Sequence, residues 1–139
     1  MSDAAASSPP ESAEGLPETR LAVAAGPLVG PVLRRVVGML AARADLPLDR
    51  LDDAVLVADV IASRASHWSS EDAVQVSLQP GERTLWLRVG PLRKGGADAL
   101  LDEAAVPDVG SVIAKLADEV HVDQDGADEF LRVRLAYVG

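Results

Sequence analysis

Leu48 to Trp68, LDRLDDAVLVADVIASRASHW, is the stretch whose reading decides the fold. At about 100° per residue, Leu51, Ala54, Val55, Ala58, Ile61, Ala62 and Ala65 fall on one broad apolar face of a helix, and that face must be buried. Leu56, Val57 and Val60 extend apolar surface around most of the circumference, so the helix is expected to be covered on more than one side. The polar remainder is a stripe of Asp52, Asp59, Ser63 and Ser66, all within roughly 60° of one another on the wheel. A carboxylate and a hydroxyl one turn apart can face a ligand. They can equally be a solvent edge, which amphipathic helices ordinarily have and which helix physics favours here.

Upstream, Val29, Val32, Leu33, Val36, Val37, Leu40 and Ala44 recur at three and four, predicting a helix over 28–44 with Pro31 tolerable only in its first turn. Arg34, Arg35 and Arg43 lie outside its apolar stripe. Pro47 ends it, and Asp49, followed by Asp52 and Asp53, is expected to cap the central helix and supply acids to its first turn. Arg20 to Ala25 reads as a short first strand closed by Gly26-Pro27. Residues 1–17, MSDAAASSPPESAEGLP, have too little apolar surface to offset the entropy of ordering, which predicts a disordered tail ahead of one domain over 18–139.

Downstream the period changes to two. Val74, Val76 and Leu78 alternate with Gln75, Ser77 and Gln79, Pro80-Gly81-Glu82-Arg83 reads as a turn, and Leu85, Leu87 and Val89 alternate with Thr84, Trp86 and Arg88. A glycine-bearing segment from Gly90 leads to a helix over 98–105. Asp108 is expected to cap a short helix through Val109, Val112, Ile113 and Leu116. Val120 and Val122 mark a strand, Asp125-Gly126 a turn, and Leu131, Val133, Leu135 and Tyr137 a last strand with Arg132 and Arg134 on its other face. Clean alternation means that helices cover the sheet on one side only, which favours a two-layer α/β sandwich of the α+β kind over a doubly wound parallel sheet.

The 139 residues allow one domain with a real core, and a hydrophobic fraction of 48% with only four aromatic residues makes that core aliphatic. A formal charge of −9 argues against direct nucleic-acid partners and anionic membranes, which need clustered cations. With no cysteine and two histidines far apart in sequence, thiolate sites are excluded and a zinc site has little to build on. No apolar run reaches the length of a membrane span, and the N-terminus lacks signal-peptide character, so the expected compartment is the cytoplasm.

The order strand, helix, helix, strand, strand, helix-bearing loop, strand, strand resembles the histidine-kinase-like ATPase superfamily, and within it the small anti-sigma-factor serine kinases, over roughly residues 19–138. The resemblance implies a Bergerat-type fold with a mixed, largely antiparallel sheet and helices on one face. The family's helix signature, Glu, three residues, Asn, Ala, two residues, His, falls here on Asp59, Ser63, Arg64 and His67: the acid is shortened to Asp59, the asparagine is Ser63, the alanine is Arg64, and His67 falls in place. The resemblance implies that Asp59 stands where an acid activates water or a substrate hydroxyl. Ser63 stands at the position of the magnesium-holding asparagine. The box Asp-x-Gly-x-Gly after the third strand appears as Gly90-Pro91-Leu92-Arg93-Lys94-Gly95-Gly96, with no acid. Of the Gly-x-Gly pair that cradles phosphates at a helix start, only Gly110 matches, and Asp108 opposes a phosphate there.

The resemblance therefore implies a scaffold with eroded nucleotide boxes: a transcription-regulatory protein-binding module, with Arg34, Arg35 and Arg43 as a partner-binding surface. Its partners would be a sigma factor, an anti-sigma antagonist or a paralogous kinase-like chain, and a homodimer is open. No cofactor is expected. If the family activity is retained, the chain is instead a Mg-ATP-dependent serine/threonine kinase in which Asp59, Ser63 and Gly110 hold nucleotide and Ser63 the metal. A third reading is an α+β domain unrelated to the superfamily. Gly90 to Gly96 is not a phosphate loop, because Lys94 precedes its glycines, and a flexible surface loop is the simpler reading. His67 fits a helix C-terminus without further function, His121 fits the polar side of an edge strand, and Trp68 and Trp86 are the expected exposed aromatics, although Trp68 could equally close the hydrophobic core.

Overall fold

The computed structural model describes residues 17–103, 105–106 and 110–137. Its order is β1 (Thr19–Ala24), α1 (Val29–Arg43), α2 (Leu48–Trp68), β2 (Ala73–Gly81), β3 (Thr84–Leu92), α3 (Gly96–Glu103), β4 (Ala105–Val106), β5 (Gly110–Ser111), α4 (Val112–Leu116), β6 (Glu119–Asp125) and β7 (Asp128–Ala136). Five strands form one sheet in the order β1-β2-β3-β7-β6, and β4 pairs with β5 separately. Every pairing described is antiparallel. The expectation of a mixed sheet is corrected accordingly: each neighbouring pair is either a tight hairpin or meets in opposed directions, as β1 with β2 and β3 with β7 do.

Alternation decides which side of the sheet is dry. Val74, Val76 and Leu78 of β2, Leu85, Leu87 and Val89 of β3, and Leu131, Val133 and Leu135 of β7 point to one face. There they join Leu33, Val37 and Leu40 of α1, Val57, Ala58 and Ile61 of α2, Leu100 of α3 and Ile113 of α4 in a single aliphatic core. The α+β two-layer architecture with helices over one face is thus present. No described helix is long and apolar enough to cross a membrane.

Several boundaries differ from the sequence reading. The central helix starts from Pro47, whose extended backbone (φ −66°, ψ 162°) lets its carbonyl accept from Leu51 N at 2.8 Å. Asp49 lies inside the first turn, where its carboxylate accepts from Arg50 N, and does not cap. Pro80 belongs to β2 opposite Leu85, so the hairpin turn is Glu82-Arg83, with Arg83 at φ 58°. Arg83 is held there because its N–H donates to Ala44 O and its carbonyl accepts from Tyr137 N, each at 2.9 Å. The 98–105 helix begins earlier, at Gly96, and Ala105 is in β4. The short helix α4 starts at Val112 with Ser111 as its N-cap, the hydroxyl accepting from Ala114 N. Asp108, expected in that role, lies outside the described residues, as do residues 1–16 of the expected tail.

Candidate functional site

The polar stripe of α2 does not act as one unit. Asp59 pairs with Arg34 of α1 at 3.4 Å, both side chains about half exposed. The Ser63 hydroxyl donates to Val60 O at 2.8 Å and accepts from Arg64 Nη1 at 2.7 Å. Ser66 instead accepts from Gly26 N at 2.9 Å, tying α2 to the turn after β1. Asp52 is exposed. The opposite side of α2 is the one that meets α3 and α4. Arg50 donates to Leu116 O at 3.1 Å and to Asp118 at 2.6 Å, and Trp68 Nε1 donates to Glu103 of α3 at 3.1 Å. Nine residues separate Arg50 from Asp59, which at about 100° per residue sets them roughly 180° apart.

Asp59 faces Arg34 of α1, whereas Ser63 is exposed and held by Arg64, which also pairs with Glu103 of α3 at 3.9 Å; β5, which contains Gly110, packs with α3 and α4. The residues present do not fit the Mg-ATP that the resemblance implies: the acid is engaged by a guanidinium and the hydroxyl by a backbone carbonyl and Arg64. Among the described residues no group of three or more metal-ligating side chains gathers.

The segment after β3, expected as a free surface loop, is pinned. β3 runs on to a fully buried Leu92 through a cis Gly90-Pro91 bond. The carboxylate of Glu129, itself 7% exposed, then accepts from Gly95 N at 3.0 Å and Ala97 N at 3.1 Å, with Gln124 Nε2 at 3.3 Å. Those backbone donors hold its pKa below the ordinary glutamate value, burial opposing and losing. The N–H groups at the start of α3 therefore already have an anion, supplied by the chain itself. Arg93 completes the clamp by donating to His67 O at 2.6 Å and lying over the Trp68 ring at 5.0 Å. His67 touches Trp68 edge-on and ends α2 as expected.

The sequence reading did not assemble the outer face of the sheet. Thr84, Trp86 and Arg88 of β3, Phe130, Arg132 and Arg134 of β7, and Glu119, His121 and Asp123 of β6 form cross-strand rows there. Arg88 lies over Phe130 at 3.9 Å, Arg132 over Trp86 at 4.9 Å, and His121 stacks on Trp86 at 6.1 Å. Asp123 accepts from both Arg88 (3.3 Å) and Arg132 (3.0 Å). Its burial raises the carboxyl pKa, but the bonds and charges of Arg132 and Arg88 outweigh this and leave it lowered. Glu119 holds His121 (2.9 Å) and Arg134 (3.1 Å), and the pKa of its carboxyl is lowered chiefly by the His121 bond. Trp86 is consequently only 8% exposed, correcting its expected exposure, and its Nε1 and the neighbouring Thr84 hydroxyl are buried without a hydrogen-bond partner. The signal that was available is the alternation of Arg with aromatic residues on the polar face of two strands that pair. His121, exposed on the edge strand β6, is where the sequence put it.

Among the expected partner-binding residues, Arg34 is engaged by Asp59, while Arg35 and Arg43 are exposed on α1 with no ion pair among the described residues. Leu56 of α2 is 46% exposed. No protein-family model matches the chain, and no curated protein matches it.

Proposed function

We propose that the chain is a regulatory protein-recognition module on a histidine-kinase-like ATPase scaffold, acting by contact with a protein partner and binding little or no nucleotide. One observation carries this reading. Asp59 and Ser63, the residues the family chemistry would need, are already engaged: Asp59 by Arg34 of α1, and Ser63 by Val60 O and by Arg64, which also pairs with Glu103 of α3 at 3.9 Å. Phosphoryl transfer depends on positioning and charge neutralisation around a held triphosphate, so engaging the acid and the metal-ligand position with the chain's own guanidinium groups removes its basis. The element order supports the scaffold, and the exposed Arg35 and Leu56 on the outer surface of the α1–α2 layer supply a guanidinium and an apolar contact of the kind interfaces favour.

The partner is a sigma factor, an anti-sigma antagonist or a paralogous kinase-like chain. Calorimetric titration with Mg·ATP and Mg·ADP, at protein concentrations that detect dissociation constants of about 100 μM, is expected to be silent. Titration with purified sigma factors and antagonists of the source organism is expected to show binding by one of them that Arg35→Glu abolishes. Nucleotide heat with turnover, or partner binding by none, would overturn the proposal.

A further inference from the structure

The helices cover one face of the sheet, and the outer face has no second layer among the described elements. At its centre that bare face is nonetheless closed to water. Gln79 of β2, Thr84 and Trp86 of β3 and Phe130 of β7 are each no more than 9% exposed. Two of their polar atoms, Trp86 Nε1 and Thr84 Oγ1, are buried without a hydrogen-bond partner. The side chains against the indole cannot serve it: Arg132, over its ring, has only donors, and His121, stacked on it, is engaged with Glu119. A buried donor left without an acceptor costs its full desolvation. Two such groups, two residues apart on one strand, mark a place for acceptors from outside these strands.

Charge on the face has a matching bias. Arg88, Arg132 and Arg134 share two carboxylates, Asp123 and Glu119, which leaves a cationic surplus in a chain of formal charge −9. A segment of complementary chemistry belongs to the chain itself. Residues 1–16, which lie outside the described residues, include Asp3, Glu11, Glu14 and Pro9-Pro10, with no lysine or arginine. Consecutive prolines favour an extended polyproline form without internal hydrogen bonds, whose carbonyls are free to accept; aromatic surfaces read proline-bearing segments in this form. The point of attachment suits it. Thr19 stands opposite Leu78, the neighbour of Gln79, and Gln79 stands opposite Trp86. Trp86 is thus two strands from β1, about 10 Å. The nine residues from Pro10 to Thr19 reach up to about 28 Å in the polyproline form.

We propose that the outer face of the sheet is a recognition surface for an extended, acidic, proline-bearing polypeptide, and that its occupant is the chain's own segment 1–16. Carbonyls around Pro9-Pro10 accept from Trp86 Nε1 and the Thr84 hydroxyl, and Glu11 and Glu14 are drawn to the guanidinium groups beside them. The segment has too little apolar surface to fold alone. Tethering, however, sets an effective concentration on the order of millimolar, so contacts too weak to hold a free peptide suffice. This surface is separate from the α1–α2 layer assigned to the protein partner, and the two readings stand or fall independently.

The chain has no cysteine, so a nitroxide on Ser8→Cys reports from a single place in the full chain. In the nitrogen-15-enriched protein it should erase most of the intensity of the Trp86 indole N–H resonance, identified by its absence from Trp86→Phe. The Arg88 and Arg132 amides should lose intensity with it, while those of Val36 and Met39 on α1 keep theirs. In the labelled chain, Pro9→Gly with Pro10→Gly, or Glu11→Lys with Glu14→Lys, should restore the lost signals; both pairs lie outside the described elements, and the unchanged remainder of the spectrum reports an intact fold. A Trp86 resonance that keeps its intensity, or broadening spread evenly over both faces of the sheet, overturns the proposal. So does broadening that survives either pair of substitutions. Equal broadening when the nitroxide is carried only by unenriched chains mixed with enriched ones would put the segment of a second copy there, and overturns it as well.

Discussion

Among the described residues, Arg50 is the side chain whose hydrogen bonds span the most sequence. From the first turn of α2 it binds Asp53 at 2.9 Å, Asp118 at 2.6 Å, Leu116 O at 3.1 Å and Ala136 O at 3.1 Å. Asp118 in turn accepts from Ala136 N at 2.7 Å. One guanidinium, with its five fixed donors, thus joins α2, the end of α4 and the end of β7. Arg50→Met keeps the stem but takes the donor from two carbonyls, Leu116 O and Ala136 O, and from two carboxylates, Asp53 and Asp118. We expect it to lower stability by about 2–4 kcal/mol, measured by urea unfolding, because charged hydrogen bonds at partly buried sites contribute that much. Asp59 is the contrast. Its pair with Arg34 is half exposed, so Asp59→Ala should change stability by no more than about 0.5 kcal/mol. In an active kinase using Asp59 the same substitution would abolish turnover, so the variant separates the two readings of this residue.

At the scale of elements, two glycines illustrate how packing decides what a side chain would cost. A Cβ on Gly90 would sit 2.6 Å from the Phe130 ring and 2.8 Å from Glu129 O, where β3 passes β7. Gly90→Ala must push backbone apart and is expected to cost about 1–3 kcal/mol. Gly38 lies inside α1 with its nearest neighbour, Val55, at ordinary contact distance. Gly38→Ala should stabilise by about 0.5–1 kcal/mol through helix propensity. Thermal or urea unfolding of the two variants checks both signs. Much of this layer was legible in the sequence: α1, α2, the β2–β3 hairpin and the Asp125-Gly126 turn all follow from periodicity and turn chemistry, which are local. What was not legible is what depends on distant partners. Glu129 lies 34 residues from Gly95, whose N–H it accepts. Nothing near Gly90 to Gly96 announces that clamp. Trp86 loses its exposure only because Arg132 and His121 arrive from two other strands. The candidate site fared less well than the fold for the same reason: the frame Asp59, Ser63, His67 matches a spacing, but the wheel position facing α3 and α4 is set by tertiary packing. Arg34, which engages Asp59, was legible only as part of a cationic surface.

For the whole molecule, response to acid tests whether local pairs or overall charge dominates. Glu129, Asp123 and Glu119 all have pKa values held below their ordinary values by donors in the folded chain. In the carboxylate range the folded state therefore binds fewer protons than the unfolded one, and stability must fall as pH drops through that range. The opposing effect is diffuse. At pH 7 the chain carries −9, and protonation relieves that self-repulsion. Salt separates the two, since exposed charges more than about 8–10 Å apart are screened near physiological ionic strength while hydrogen-bonded pairs are not. We expect the urea midpoint at such ionic strength to be highest near neutrality and to decline toward about pH 3, the usual span of carboxylate titration. Glu129→Gln should start lower at pH 7, because the amide leaves one of the Gly95 and Ala97 donors without its acceptor, and should then decline less steeply. A midpoint that rises toward acid in salt would mean that net repulsion outweighs the clamps. A Glu129→Gln chain with the wild-type slope would mean that the carboxylate at the start of α3 contributes nothing that titrates, and the pinned segment after β3 would have to be held by Arg93 and Trp68 alone.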